Sequence, residues 1–269
     1  MKYRLAAFAD EASSSVRGQI KAMKENGIEM LEIRGVDGTN IADITKEKAA
    51  EVRSMLDDAG ITVWSLGSPY GKIDLRDDFE KHLDSFRHGL ELADILGAGR
   101  IRLFSFYGAK NETDEVTERL GRFIDAASGT GLLLCHENEK GIYGETAREC
   151  LTLHKPLPSI KAVFDPANFI QCGQETKEAW DMLEPYIEYM HIKDALPDGT
   201  VVPAGKGVGD LPFLLGRYHG EVLTIEPHLG VFEGFDKLES SEKSKMCEYT
   251  YPTPDAAFKA AADALKALI

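Results

Sequence analysis

Four times in the second half of the chain, a short apolar run ends on a side chain able to bind metal. Gly131-Leu132-Leu133-Leu134-Cys135-His136 climbs to Glu137 before Gly141 and Gly144 turn the chain outward. Ile160-Lys161-Ala162-Val163-Phe164 ends at Asp165, Ile187-Glu188-Tyr189-Met190 at His191, and Val222-Leu223-Thr224-Ile225 at Glu226. Apolar runs of about four to eight residues between turn formers read as buried parallel strands rather than helices. The four ends are 28, 26 and 35 residues apart (137, 165, 191, 226). A strand–helix unit of an eightfold barrel takes roughly 30 residues, because eight of them fill about 250. The beat therefore predicts a (β/α)8 TIM barrel, with four ligand-type side chains at the strand ends where such folds keep their chemistry.

The remaining units can be read along the chain. Strands are predicted at Tyr3–Phe8, Glu29–Ile33, Ile61–Leu66 and Arg100–Phe104. Helices are predicted at Ser13–Asn26, from a Thr45 cap through Asp58, and from Asp77 or Asp78 to about Leu96. Further helices follow at Thr113–Ala127, Glu145–His154, Thr176–Leu183, Leu211–Tyr218 and Asp255–Leu268. Ala195–Gly209 reads as a Gly/Pro-rich loop. Gly230–Pro254 reads as a long excursion, with Glu239–Lys245 a solvated loop or helix face. Eight strands alternate with eight helices and no interdomain linker interrupts them, so residues 1–269 are expected to form one barrel domain.

Composition narrows the partners. With 43% hydrophobic residues in 269, the chain can bury a large core without disulfides. A net charge of −14 argues against nucleic acid, whose phosphates need Lys and Arg counterparts. Cys135, Cys150, Cys172 and Cys247 form no C-x-x-C pair and read as reduced thiols. No apolar leader or membrane-length run is present, so the expectation is a soluble cytoplasmic protein with no membrane partner, a homo-oligomer remaining open.

Three carboxylates and one imidazole suit a hard or borderline divalent ion, with Mn²⁺ the first expectation and Mg²⁺, Co²⁺ or Zn²⁺ the others. Without a thiolate the set is not a structural zinc site. Singly, each residue has an ordinary role: a strand-end Asp often caps a helix, and a lone His is often a satisfied buried group. Together, four such groups in phase favour metal, because uncompensated carboxylates converging on a barrel mouth repel one another. Period-two alternation places Lys193 in phase with His191 and His228 in phase with Glu226, as candidate substrate contacts. The same alternation turns His136 toward the helices. Asn168, one turn after Asp165, can face the pocket or serve a local turn.

These residues resemble the xylose isomerase-like TIM barrels, a family of sugar-phosphate isomerases and epimerases and ketose 3-epimerases, over essentially the whole chain. The resemblance rests on Phe164-Asp165-Pro166-Ala167-Asn168, Met190-His191-Ile192-Lys193-Asp194 and the turn Pro203-Ala204-Gly205-Lys206-Gly207-Val208-Gly209. It implies one divalent metal held by Glu137, Asp165, His191 and Glu226. The chain departs from ketose 3-epimerases, which usually carry His where it has Asn168. The implied reaction is isomerisation or epimerisation of a small sugar or sugar phosphate, with a metal-stabilised enediolate and Glu137 and Glu226 moving the proton.

The early strands are expected to supply the pocket wall from Phe8, Asp10, Glu11, Arg34, Trp64, Ser68, Tyr70, Lys72, Phe106 and Tyr107, with Arg34 and Tyr70 as substrate contacts. Ser68–Lys72 reads equally as a mobile lid or a surface loop. Three alternatives stand beside the isomerase. An endonuclease IV-like activity would need more histidines and a basic groove than this acidic chain offers. A lyase or hydrolase of oxidised glycosides would use the same metal enolate. A sugar-binding barrel without catalysis would not need four intact ligand positions.

Overall fold

The computed structural model describes residues 2–230 and 251–269. Cys247 and the segment Glu239–Lys245 lie outside the described residues. Eight parallel strands close into a barrel: β1 (Arg4–Ala7), β2 (Met30–Ile33), β3 (Thr62–Leu66), β4 (Arg100–Leu103), β5 (Leu133–Glu137), β6 (Lys161–Phe164), β7 (Ile187–Ile192) and β8 (Val222–Ile225). Closure comes from β1, which pairs with β2 on one side and with β8 on the other, Arg4 opposite Val222. The wall has no free edge strand, so its charged residues must point inward to the lumen or outward to the helices.

Among the described residues the helix layer comprises α1 (Val16–Glu25), α2 (Lys46–Ala59), α3 (Phe79–Leu96), α4 (Thr113–Ala127), α5 (Ala147–His154), α6 (Pro166–Gln171), α7 (Thr176–Leu183), α8 (Leu211–Arg217) and α9 (Pro254–Lys266). Capping side chains set several of their starts. Ser15 accepts from Gly18 N, Thr45 from Lys48 N and Asp78 from Lys81 N. Thr146 and Glu149 form a capping box, which moves the start of α5 from the expected Glu145 to Ala147. Three elements differ from the sequence expectation. α6 begins directly after Asp165, with Pro166 in its first turn. A hairpin, Gly35–Val36 with Thr39–Asn40, turns on Asp37-Gly38 at φ 48° and 79°. The expected loop after β7 contains a second hairpin, Asp194–Ala195 with Val201–Val202.

Outside the strands, Phe79, Phe86, Phe106 and Phe123 pack as one aromatic group between α3, α4 and the barrel. Tyr70 belongs to that layer. Its ring meets Phe86 edge-on and its hydroxyl donates to Ser85 O at 2.9 Å. His136 also faces outward, as the alternation predicts: Nε2 lies 2.9 Å from Ser105 Oγ, and burial pushes its pKa down to about 3. Inside the lumen, Trp64, Tyr189, Cys135 and Val163 fill the lower barrel, and the Arg100 guanidinium lies 3.6 Å above the Trp64 ring.

The segment Ser68–Lys72 is pinned to the end of β4 and does not form a lid. Phe104 N donates to Tyr70 O at 2.8 Å, Phe106 N to Gly71 O at 2.9 Å, and Gly71 N to His82 Nε2 at 2.8 Å. Gly71 sits at φ 89°, and a Cβ there would come 2.0 Å from Phe104 O. Only glycine allows that approach.

The loop after β7 is organised by one buried carboxylate. Asp194 Oδ1 accepts from Ala195 N and Gly209 N, both at 2.9 Å, and Oδ2 accepts from Gly205 N at 2.9 Å and Gly207 N at 3.0 Å. Hydrogen bonds to a charged acceptor contribute about 1.5–3 kcal/mol each when buried, and they are not additive. Asp194→Ala is therefore expected to lower unfolding free energy by about 3 kcal/mol in urea denaturation. A loss below about 0.5 kcal/mol, the ordinary range for surface substitutions, would show that the carboxylate does not hold the loop.

Candidate active site

The closed barrel carries Glu137, Asp165, His191 and Glu226 to the carboxyl ends of β5 to β8, each within one residue of its strand end. One ligand-type atom from each lies within 4.8 Å of the others, and all four residues are buried. A coordination sphere of about 2.1 Å radius separates its ligand atoms by roughly 3 to 4 Å, so this set is close to a single shell. Glu137 Oε2 and Asp165 Oδ2 are buried without a well-directed hydrogen bond. Cations stand near both, Arg102 Nη1 and Lys193 Nζ, each at 3.1 Å. The residues fit a divalent ion.

Asp165 combines the two roles that sequence reasoning set against each other. Its Oδ1 caps α6 by accepting from Asn168 N at 2.9 Å, while Oδ2 faces the cluster. Asn138 fixes the backbone here, donating Nδ2 to Asp165 O and accepting at Oδ1 from Asp165 N, both at 2.9 Å. That clamp sets the spacing between the ends of β5 and β6. Asn168 does face the pocket: Nδ2 donates to Asn138 O at 2.9 Å and reaches Glu137 Oε1 at 3.3 Å.

His191 is held from both sides. Nδ1 is on the cluster side, 3.0 Å from Glu137 Oε1 and 3.5 Å from Glu226 Oε2. Nε2 is 3.2 Å from Glu32 Oε2, and Glu32 Oε1 also accepts from the Tyr189 hydroxyl at 2.7 Å. Burial opposes charge on the ring, yet Glu137 and Glu32 outweigh it and hold the His191 pKa well above the usual value. When Nδ1 serves as a ligand, the Nε2–H stays on Glu32, which fixes the tautomer and the ring plane. Phe8 packs its ring edge-on against His191 at 5.1 Å between centroids.

The wall residues engage the ligands' own carboxylates. Arg34 divides its guanidinium among Asp10 (2.8 Å), Glu11 (3.1 Å) and Glu226 (3.3 Å). Lys193 Nζ stands 3.1 Å from both Asp165 Oδ2 and Glu226 Oε2. His228 Nε2 is 3.4 Å from Glu11 and from Glu226, and burial together with Lys193 keeps its pKa well below the usual value. Lys72 sits at the rim on Glu139, 2.9 Å away, over the Phe104 ring.

The carboxyl groups are pushed apart by these surroundings. Burial, with Glu226 and Glu137 nearby, raises Asp165 to about 7 against the pull of Lys193. Burial likewise raises Glu11 to about 8. Glu226 is buried too, but Lys193, His228 and His191 together hold it well below the carboxylate range.

Of the predicted site residues, Glu137, Asp165, His191, Glu226, Lys193, His228, Asn168 and Arg34 converge on this mouth. Tyr70 does not: its hydroxyl is bound to α3, and this corrects its expected place on the pocket wall. Sequence reading missed Glu32, Arg102 and Asn138. A signal existed for the first two, since Glu32 interrupts apolar Met30-Leu31-Glu32-Ile33 in phase with Arg34, and Arg102 lies between Ile101 and Leu103.

Comparison with known proteins agrees with this architecture. The chain belongs to the xylose isomerase-like TIM barrel family, whose model matches residues 20–221. A 3-dehydroshikimate dehydratase from Bacillus anthracis is 22% identical over 210 residues, covering 71% of this chain and 74% of that one. The solved structure of an IOLI protein with a bound zinc atom superposes with a TM-score of 0.74 at 16% identity, covering 98% of this chain and 97% of that one. The 3-keto-D-glucoside 4-epimerase YcjR from E. coli superposes with a TM-score of 0.69 at 16% identity, covering 100% and 98%. At these identities the structures share the fold. Among the described residues no helix is long and apolar enough to cross a membrane.

Two outcomes are expected. Protein loaded with Mn²⁺ and desalted should retain about one ion per chain by elemental analysis, and the Asp165→Ala, His191→Ala double variant should retain none. Glu32→Gln should weaken metal affinity about 10- to 100-fold in chelator competition, because the carboxylate that accepts from the far nitrogen of a ligating His tunes its basicity. Unchanged affinity in Glu32→Gln would remove Glu32 from the metal's support.

Proposed function

We propose that the chain is a divalent-metal-dependent sugar isomerase or epimerase that moves a proton on the carbon beside a carbonyl. One observation carries the reading: two glutamates, Glu137 from β5 and Glu226 from β8, enter one buried ligand set from different sides of the mouth. Mn²⁺ is the proposed ion, with Mg²⁺, Co²⁺ and Zn²⁺ compatible with the same donors. When bound, the ion polarises the substrate's carbonyl and neighbouring hydroxyl and stabilises the enediolate charge.

The chain's own residues handle the proton and the substrate's position. One of Glu137 and Glu226 takes the C–H proton at a carboxylate oxygen. Delivery of a proton by the other glutamate, protonated beforehand, on the opposite face gives an epimer, and return of the abstracted proton to the adjacent carbon, with the hydroxyl proton passing between the two oxygens, gives an isomer. Arg102 and Asn168 fix the Glu137 carboxylate, at 3.1 Å and 3.3 Å, while Arg34 and Lys193 fix that of Glu226, at 3.3 Å and 3.1 Å. These contacts restrain both bases before substrate arrives, which is what lowers the reorganisation cost of proton transfer. Lys193 and His228, which lie 3.1 Å and 3.4 Å from Glu226, are the proposed hydrogen-bond partners of the sugar hydroxyls.

The likeness to a dehydratase favours a second reading on the same enolate. There the C–H electrons would form a C=C bond as the hydroxyl of the next carbon leaves, protonated to water, instead of the carbon regaining a proton. A lyase acting on oxidised glycosides belongs to the same scheme.

A substrate panel incubated with the Mn²⁺-loaded protein in deuterium oxide, chelated and then read by NMR, tests the proposal. A converted sugar should carry deuterium at the reacting carbon, whereas a dehydrated product would select the second reading. Glu137→Gln and Glu226→Gln should each lower turnover by about 10² to 10⁴-fold. Full turnover in both variants would mean that neither glutamate moves the proton.

A further inference from the structure

We infer that the substrate carries no phosphate and is an uncharged keto sugar. This deepens the proton-transfer reading and rests on it. In (β/α)8 barrels, phosphate groups are frequently gripped by the loops after strands seven and eight, and successive backbone N–H groups of a turn form such anion sites. The Gly-rich loop after β7, Pro203–Gly209, has the composition for that task. Its amides already hold an anion that belongs to the chain. Gly205 N, Gly207 N and Gly209 N all donate to the Asp194 carboxylate, at 2.9, 3.0 and 2.9 Å. Asp194 is 1% exposed, so no substrate group reaches those donors.

The glycines themselves are explained by the internal anion. A Cβ at Gly207 would lie 2.3 Å from Asp194 Oδ1 and 2.2 Å from Ala195 O, and one at Gly209 would lie 2.7 Å from Asp194 Oδ1. Glycine is needed there for the backbone to close on the carboxylate. The loop's charge appetite is thus satisfied before any ligand arrives. Asp210, which follows the loop, adds a further negative group, paired with Lys177 at 2.8 Å.

The charge around the metal cluster points the same way. Among the described residues, the carboxyl groups of Asp10, Glu11, Glu32, Glu137, Glu139, Asp165 and Glu226 face four cationic heads, those of Arg34, Lys72, Arg102 and Lys193. A phosphate dianion would enter a mouth crowded with carboxyl groups, where each of these four cations already has a carboxylate partner, a costly arrangement. A neutral polyhydroxy ketone brings no such charge.

Matched pairs decide the question. Free ketoses and their terminal phosphates, such as fructose and fructose 6-phosphate, are compared by deuterium wash-in with the Mn²⁺-loaded protein. The free sugar of each reactive pair should have at least a 100-fold higher kcat/KM. A reactive pair that favours the phosphate, gripped for example by the exposed Lys206, would overturn the inference. If no pair reacts, the proton-transfer reading fails, and a second readout still judges this one. Inorganic phosphate up to 20 mM should not raise the Tm of metal-free protein beyond chloride of equal ionic strength, whereas a saturable rise would overturn it. In Asp194→Ala, with the glycine amides released, phosphate should produce that saturable rise at millimolar concentration. No rise in a folded Asp194→Ala protein would show that the loop is not an anion site, and the inference would fall.

Discussion

Like charges drawn into one closed barrel mouth are the constraint on which the rest of this structure depends. Strand geometry brings Glu137, Asp165 and Glu226 together with His191 because each lies at the end of a consecutive strand. Left alone, three buried carboxylates converging around one imidazole repel and take up protons. The surrounding residues answer that repulsion one by one. Arg102 covers Glu137, Lys193 lies between Asp165 and Glu226, and Arg34 ties Glu226 to Asp10 and Glu11. The mouth is therefore a rigid ionic lattice, and the position it shapes suits a doubly charged ion.

Support for that lattice comes from places with no chemistry of their own. Asn138 binds both backbone groups of Asp165, so neighbouring strand ends keep one separation. Glu32 reaches across the lumen from β2 to His191, joined by Tyr189 from the layer below. The Ser68–Lys72 segment is bonded to β4 and α3, which makes the β3 side of the mouth a fixed wall. Substrate discrimination then depends on the prepositioned polar groups of the rim more than on closure of this segment.

Much of this was legible in the sequence because the second half repeats one pattern. Apolar runs ending in Glu137, Asp165, His191 and Glu226 share a spacing that only a barrel explains, and alternation along β7 and β8 added Lys193 and His228. The first half lacks such a repeat. Glu32 and Arg102 sit inside short strands where a single charge reads as noise until the partner strand across the lumen is known. Tyr70 was misplaced because the chain leaving β3 at Leu66 folds back, so that its ring packs on Phe86 and its hydroxyl donates to Ser85 O of α3. The short helix after Asp165 was hidden for a related reason: its cap residue was already assigned to the metal, and one carboxylate serves both. The Asp37-Gly38 turn was a readable hairpin signal that strand-length reasoning passed over.

One ion held by four named side chains is the central expectation, and anomalous diffraction tests it most directly. A crystal of the protein grown with Mn²⁺ and measured on both sides of the manganese absorption edge should show one strong anomalous peak per chain. That peak should lie about 2.1 Å from oxygens of Glu137, Asp165 and Glu226 and from Nδ1 of His191. A clear peak elsewhere, or an ordered mouth with Lys193 on Asp165 and Glu226 and no peak at saturating Mn²⁺, would contradict it.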